Sequence, residues 1–218
     1  MKILAVDTAL GACSVAVLSG DRVLAHRFVP MDRGHAEALA PMVEEAMRDA
    51  EIPFANIDRL AVTTGPGTFT GQRVGLAFMR GLRVALKKPL MGITTLEAMC
   101  AAAVEEATLD HAAAIHDARR GEAYLALTSK AGVLIASEIL SLDDVAPRIA
   151  NAIPGTPVAL AGTAAEMIGG VLTQGKVTSI RQPDALWVAR HAMHAPEPTA
   201  APAPLYLRAP DAKLPASA

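Results

Sequence analysis

Ile3-Leu4-Ala5-Val6-Asp7-Thr8 opens the stretch that decides the fold, and two further runs follow it, Cys13-Ser14-Val15-Ala16-Val17-Leu18 and Val23-Leu24-Ala25-His26-Arg27-Phe28. The gaps, at Leu10-Gly11 and Ser19-Gly20-Asp21, are short and turn-prone, so the three β-prone runs form an antiparallel meander. A helix comes next, with Ala36, Leu39, Val43, Ala46, Met47 and Ala50 at three-and-four spacing, Pro41 bending it and Pro53 closing it. Residues 60–64 read as a short buried strand. A glycine-rich loop then leads into a second helix over 70–87, and another strand lies near 89–93. The order is βββαβα followed by a strand.

The same order recurs. Strands are predicted over 113–117, 123–129 and 133–139, a helix over 142–150, a strand over 158–161 and a helix over 163–171. Laying residue n on n+110 places Asp7 on Asp117, Gly11 on Gly121, Ala16 on Ala126, Ser19 on Ser129, Val23 on Val133 and Leu24 on Leu134. Identities together with a matching element order indicate a duplicated α/β fold whose second copy is shortened. The expected organisation is a first half over 1–105, a second half over 106–194 that ends in a helix from 183, and an Ala/Pro-rich tail over 195–218. That tail should run extended and dock through Leu205-Tyr206-Leu207-Arg208, with the last ten residues loose.

Composition bounds the function. The chain has 218 residues, 52% hydrophobic and 19% charged, which excludes disorder as its main state. Net charge is −2 and aromatics are 3%, so neither a general electrostatic grip on nucleic acid or membrane nor an aromatic stacking platform is expected. Cys13 and Cys100 make no disulfide framework and no metal spacing. The start has no signal-peptide pattern and no apolar run is long enough to span a bilayer, so a soluble cytoplasmic protein is expected.

Asp7-Thr8 at a strand end, turning through Gly11, sets a carboxylate and a hydroxyl where such folds can face phosphates and a hydrated Mg²⁺, with Asp117 to Gly121 as its mirror. Equally, each Asp can cap its own turn. Thr63-Thr64-Gly65-Pro66-Gly67-Thr68-Phe69-Thr70-Gly71 is the densest signal. A Gly/Thr loop opening a helix offers backbone N–H groups to an anion; the structural alternative is a sharp turn at Gly65 and Gly67 with Thr70 as the helix cap. No Walker or dinucleotide spacing is present. The second helix carries small residues at four-residue intervals, Gly71/Gly75 and Ala77/Gly81/Ala85, beside Arg73, Arg80, Arg83 and Lys87. The first helix is acidic, with Glu37, Glu44, Glu45, Asp49 and Glu51, so the two could pair within the chain, across a two-fold axis, or remain solvated. His191 and His194 lack further ligands and read as surface residues, and no nucleophile with its base stands out.

Four segments resemble the TsaB family, also called YeaZ: residues 1–8, the Gly65–Gly75 loop Gly-Pro-Gly-Thr-Phe-Thr-Gly-Gln-Arg-Val-Gly, Asp117-Ala118-Arg119-Arg120-Gly121-Glu122, and Tyr206-Leu207-Arg208. The resemblance implies an actin-like, Hsp70-like and sugar-kinase-like fold of two RNase H-like halves. It also implies a role in making N6-threonylcarbamoyladenosine beside the anticodon of tRNAs that read codons starting with A. Implied partners are a paralogous TsaD-like transferase and a TsaE-like ATPase, with tRNA met only through the complex; a homodimer is the other pairing the helices allow. TsaD-like proteins carry His-x-x-x-His where this chain has Thr95 and Met99, so no metal site and no catalytic residue is expected. Leu160-Ala161-Gly162-Thr163-Ala164 is half similar to the adenosine-binding turn of the kinase relatives. The expected partner interface comprises Gly71, Arg73, Gly75, Phe78 and Gly81 with Leu39 and Val43. No cofactor is required on this reading; Asp7, Thr8, Gly65, Gly67, Thr68 and Asp117 are candidates for a vestigial phosphate site that takes ATP or ADP and Mg²⁺ weakly. The alternative is an ATP-dependent phosphotransferase or ATPase using those same residues, and a metallopeptidase is set aside for want of ligands.

Overall fold

The computed structural model describes residues 1–208. The expectation of a loose C-terminus falls on residues 209–218, outside the described residues. Strands β1 (Lys2–Asp7), β2 (Ala12–Ser19) and β3 (Arg22–Pro30) form the meander, followed by α1 (His35–Asp49), β4 (Arg59–Thr63), α2 (Phe69–Leu86), β5 (Leu90–Ile93) and α3 (Thr95–Ala107). The second copy runs β6 (His111–Arg119), β7 (Glu122–Ser129), β8 (Gly132–Ser141), α4 (Leu142–Ala152), β9 (Val158–Ala161), α5 (Ala165–Gly169), β10 (Gly175–Val177) and α6 (Ala185–His194). The two sheets have equivalent orders, β3-β2-β1-β4-β5 and β10-β9-β6-β7-β8 read from opposite ends. Both join an antiparallel meander to parallel crossover strands. This is the duplicated RNase H-like α/β arrangement, with α5 cut to five residues where α2 has eighteen.

Strand alternation divides each sheet into two buried faces. In the first sheet Leu4, Val6, Val15 and Val17 pack under α1 and α2, while Ile3, Ala5, Ala16 and Leu18 pack against α6. In the second, Ile115, Leu125 and Leu127 lie under α4 and α5, while Ala112, Ala114, Ala126, Ala159 and Ala161 face α3. The helices thus cross over: α3 leaves the first half to cover the second sheet, and α6 returns from the second half to cover the first. The sequence boundary at 105/106 assigns these helices by chain order; packing assigns them the other way. Alanines on the inner faces allow a close approach of the helices that fill the space between the sheets. Arg59, buried at the start of β4, donates to the carbonyls of Ala192 (2.6 Å) and Ala195 (2.8 Å), satisfying the C-terminal end of α6.

Three elements differ from the sequence reading. Helix α3 has no counterpart there: it is apolar on most of its surface, so the amphipathic period that marks a helix is weak. Helix α5 is shorter than the 163–171 span, and β10 is additional. No described helix is long and apolar enough to cross a membrane.

Candidate functional site

The end of β1 and the start of α2 meet in a closed knot. Asp7 is fully buried; its Oδ1 accepts from Thr63 Oγ1 (2.6 Å) and from the Ala9 N–H (3.2 Å), while Oδ2 is buried without a partner. Burial, opposed by the Thr63 and Ala9 hydrogen bonds, pushes its pKa up from 3.8 to about 7. Thr8 Oγ1 donates to the Gly71 carbonyl (2.7 Å) and accepts from the Gly75 N–H (3.0 Å), groups one helical turn apart. A hydroxyl from β1 is therefore built into the first turns of α2. Thr68, not Thr70, is the helix cap: its Oγ1 accepts from Gly71 N–H (3.1 Å), and its own N–H donates to the Ala9 carbonyl (2.8 Å).

The glycines of this loop serve that closure. A Cβ at Gly67 would stand 2.3 Å from the Ala9 carbonyl oxygen, one at Gly71 2.2 Å from the Thr8 oxygen, and one at Gly75 2.7 Å from Thr8 Oγ1. Gly65 has φ 106° and takes up the Gln72 amide where a side chain would be. Of the six residues assigned to a phosphate site, the fold brings Asp7, Thr8, Gly65, Gly67 and Thr68 together, but their polar groups face one another. An incoming phosphate would meet N–H groups of Thr68, Gly71 and Gly75 that already have acceptors. Beyond them Ala9 and Leu10 pack against Leu96, Met99, Cys100, Ala112, Ala114, Ala126 and Ile180, filling the space toward the second sheet with apolar side chains.

Asp117, the counterpart of Asp7, is exposed. Its Oδ1 accepts from the Arg119 N–H (2.7 Å), the turn-capping role, and its N–H donates to Thr163 Oγ1 (3.0 Å). Gly162, at φ 102°, lies against Ile115, whose carbonyl oxygen would be 2.1 Å from a Cβ. Neighbouring His116 is buried with its Nδ1 unpartnered, and burial lowers its pKa to about 4. Thr95 and Met99 are wholly buried on α3, and the described residues contain no group of three His, Cys, Asp or Glu that could hold a metal ion.

The expected interface residues divide. Leu39 and Val43 belong to the core under α1, and Gly71 and Gly75 are occupied by β1, so these four do not present a surface. Phe78 is half-buried against the same core. Arg73 lies 3.5 Å over the Phe69 ring and donates to Tyr206 Oη (2.9 Å), and on α1 Glu45 and Asp49 pair with Arg27 of β3. Gly81 is the exception, with nothing within 4 Å of its Cβ position; it lies beside exposed Ala77, Val84 and Ala85, Val84 at 78% exposure.

Sequence reasoning did not single out Arg59, Gln182 or α3. Gln182 Oε1 accepts from Gly11 N–H (2.9 Å), linking the first-half turn to the approach of α6. One signal for α3 was legible: Thr94-x-x-Glu97 is a capping box, with both reciprocal bonds formed.

The family model for TsaD, tRNA N6-adenosine threonylcarbamoyltransferase, matches residues 23–167. The tRNA threonylcarbamoyladenosine biosynthesis protein TsaB of Escherichia coli K12 is 38% identical over 126 residues, 58% of this chain and 54% of that protein. This chain thus matches about half the length of that relative. An uncharacterised Mycobacterium tuberculosis protein is 33% identical over 97% of this chain and 93% of its own. Among solved structures, YeaZ from Pseudomonas aeruginosa is similar at TM-score 0.74 and 28% identity, covering 94% of this chain and 99% of that one. Likeness of fold alone extends to a Thermus thermophilus ROK hexokinase, TM-score 0.53 at 15% identity over 87% of this chain and 98% of that one.

Proposed function

This chain belongs to the TsaB (YeaZ) family, and on that premise we propose that it is a non-catalytic subunit that binds and activates a TsaD-like transferase in the synthesis of N6-threonylcarbamoyladenosine in tRNA. The observation that carries the non-catalytic part is the knot at Asp7. A carboxylate that holds a hydrated cation must be ionised and reachable. Asp7 is buried, its carboxyl pushed up to about 7, and it is walled off by Ala9 and Leu10. In this reading the residues that the sequence offers to a phosphate are instead the weld between β1 and α2. Asp117 is exposed and its Oδ1 is taken up by the Arg119 N–H of its own turn, the capping role, which speaks against the ATP-dependent alternative.

The surface offered to the transferase is the open face of α2 at Ala77, Gly81, Val84 and Ala85, where the absence of large side chains lets a partner helix approach closely. A TsaE-like ATPase joins the assembled pair, tRNA is met through the complex, and the assembly works in the cytoplasm. Co-purification with the TsaD-like protein is the direct test: the native chain elutes with it from a sizing column, and Gly81→Leu abolishes co-elution while remaining folded. Gly75→Leu is not an equivalent test, since its side chain would be driven into Thr8. Mass spectrometry of tRNA nucleosides from depleted cells should show threonylcarbamoyladenosine falling, and Asp7→Asn should restore it. Undiminished nucleoside would overturn the pathway assignment. Failure of Asp7→Asn to rescue, with the protein folded, would overturn the non-catalytic reading.

A further inference from the structure

Residues 202–208 run from one half to the other and bond to both. On the first half, the Leu205 N–H donates to the Thr64 carbonyl (2.7 Å) at the end of β4, and the Pro202 carbonyl accepts from Arg80 of α2 (2.5 Å). Pro202 also fills the space over Gly92, where a Cβ would come within 2.6 Å of the proline ring. The Tyr206 ring stacks on Phe69 with centroids 5.7 Å apart, and its hydroxyl accepts from Arg73. Two residues on, the chain reaches the other half. Arg208 donates to the carbonyls of Ala118 (2.9 Å) and Arg119 (3.5 Å) and forms an ion pair with Glu122.

The turn that Arg208 grips is itself costly. Arg119, Arg120 and Gly121 have consecutive positive φ values of 65°, 60° and 75°. For the two arginines that conformation costs on the order of 1 kcal/mol each and persists only where surrounding contacts hold it. A guanidinium meeting two of the turn's carbonyls and the carboxylate that follows it supplies such contacts with fixed, planar geometry. The tract that leads to this point, 196–204, has four prolines and is stiff, so its reach has little slack.

We infer that residues 202–208 are a clasp that fixes the angle between the two halves, anchored by Leu205 and Tyr206 on the first and closed by Arg208 on the second. The inference does not depend on the proposed function; it concerns this chain alone.

The test uses the full chain with spin labels on Asp21→Cys and Ala131→Cys, one hairpin tip in each half, since Cys13 and Cys100 are buried. Arg208→Ala should broaden the distance distribution between the labels and speed amide exchange at both 64–72 and 118–122 by ~10-fold or more, with β1 and β2 unchanged. Faster exchange confined to 118–122 with an unchanged distribution would overturn the clasp, Arg208 then serving only its own turn. An unchanged molecule would overturn it as well. If Arg208→Ala is not recovered folded, Tyr206→Phe, which removes only the hydroxyl met by Arg73, should give ~2-fold faster exchange across 64–72, and no change there sinks the proposal.

Discussion

Asp7 and Asp117 occupy the same position in the two copies, at the first hairpin of each meander, yet one is sealed in the interior and the other stands in solvent. The difference comes from the helix that follows each parallel strand. In the first copy α2 is long, and its Gly-rich start closes over Thr8 and Ala9, burying the carboxylate beneath it. In the second copy α5 is a single short turn, and the loop before it meets the strand through Gly162 at Ile115 and Thr163 at the Asp117 N–H, leaving the carboxylate exposed. The same carboxylate in the same strand position is therefore held well above its ordinary pKa in one half and free to cap its own turn in the other. Duplicated sequence preserves a backbone path; what covers that path decides its chemistry.

The comparison can be broken at the glycines first. Gly67→Ala and Gly162→Ala each drive a Cβ onto a main-chain carbonyl, so both should cost upward of ~4 kcal/mol and lower the melting temperature drastically or prevent folding. Gly81→Ala, on the open face of α2, should instead stabilise by up to ~1 kcal/mol in a thermal melt, because alanine is the better helix former. If Gly162→Ala were tolerated and Gly67→Ala not, the two closures would not be equivalent.

Asp7→Asn should have the next largest effect, and it should depend on pH. A carboxyl whose pKa is raised on folding binds its proton more tightly in the native state, so native stability falls as pH rises from 3.8 to about 7. At ~1.4 kcal/mol per unit the loss is at most about 4 kcal/mol. Denaturant melts should show the variant converging with the native chain near pH 4 and exceeding it above pH 7. Asp117→Asn, at an exposed turn, should change stability by less than ~0.5 kcal/mol. His116 acts in the opposite sense. Its lowered pKa means the unfolded chain takes up the proton first, so stability is lost as pH falls from 6.5 toward 4, and His116→Gln should remove that acid limb.

Thr8→Val keeps the shape and removes the hydroxyl shared by Gly71 and Gly75; about 1–3 kcal/mol should be lost in urea melts, with faster amide exchange at Gly75. Thr94→Ala, which opens the capping box of α3, should cost ~1 kcal/mol in the same assay. A larger loss there than at Thr8 would reverse the order of importance given to the two helix starts.

Much of the scaffold was legible because its signals are local. Alternating β-branched runs with tight gaps gave both meanders, and three-and-four spacing gave α1 and α2. Helix α3 escaped because a helix packed on most sides by Ala, Met and Cys has no polar face to set a period, though Thr94 and Glu97 marked its start. The candidate site was half legible. The residues that gather at Asp7 could be named, but whether their polar atoms point outward to an anion or inward to each other depends on spacings of 2–3 Å across segments sixty residues apart.

By itself, then, the sequence determined the repeated order of strands and helices and the place of the glycines, since hydrophobic period and turn chemistry are properties of short segments. Tertiary structure alone decided that Thr8 joins a helix ladder, that α3 and α6 exchange halves, and that Arg208 reaches across to Glu122. Burial, and with it the protonation of Asp7 and His116, is set by distant residues that happen to cover a site, and no local pattern carries that information.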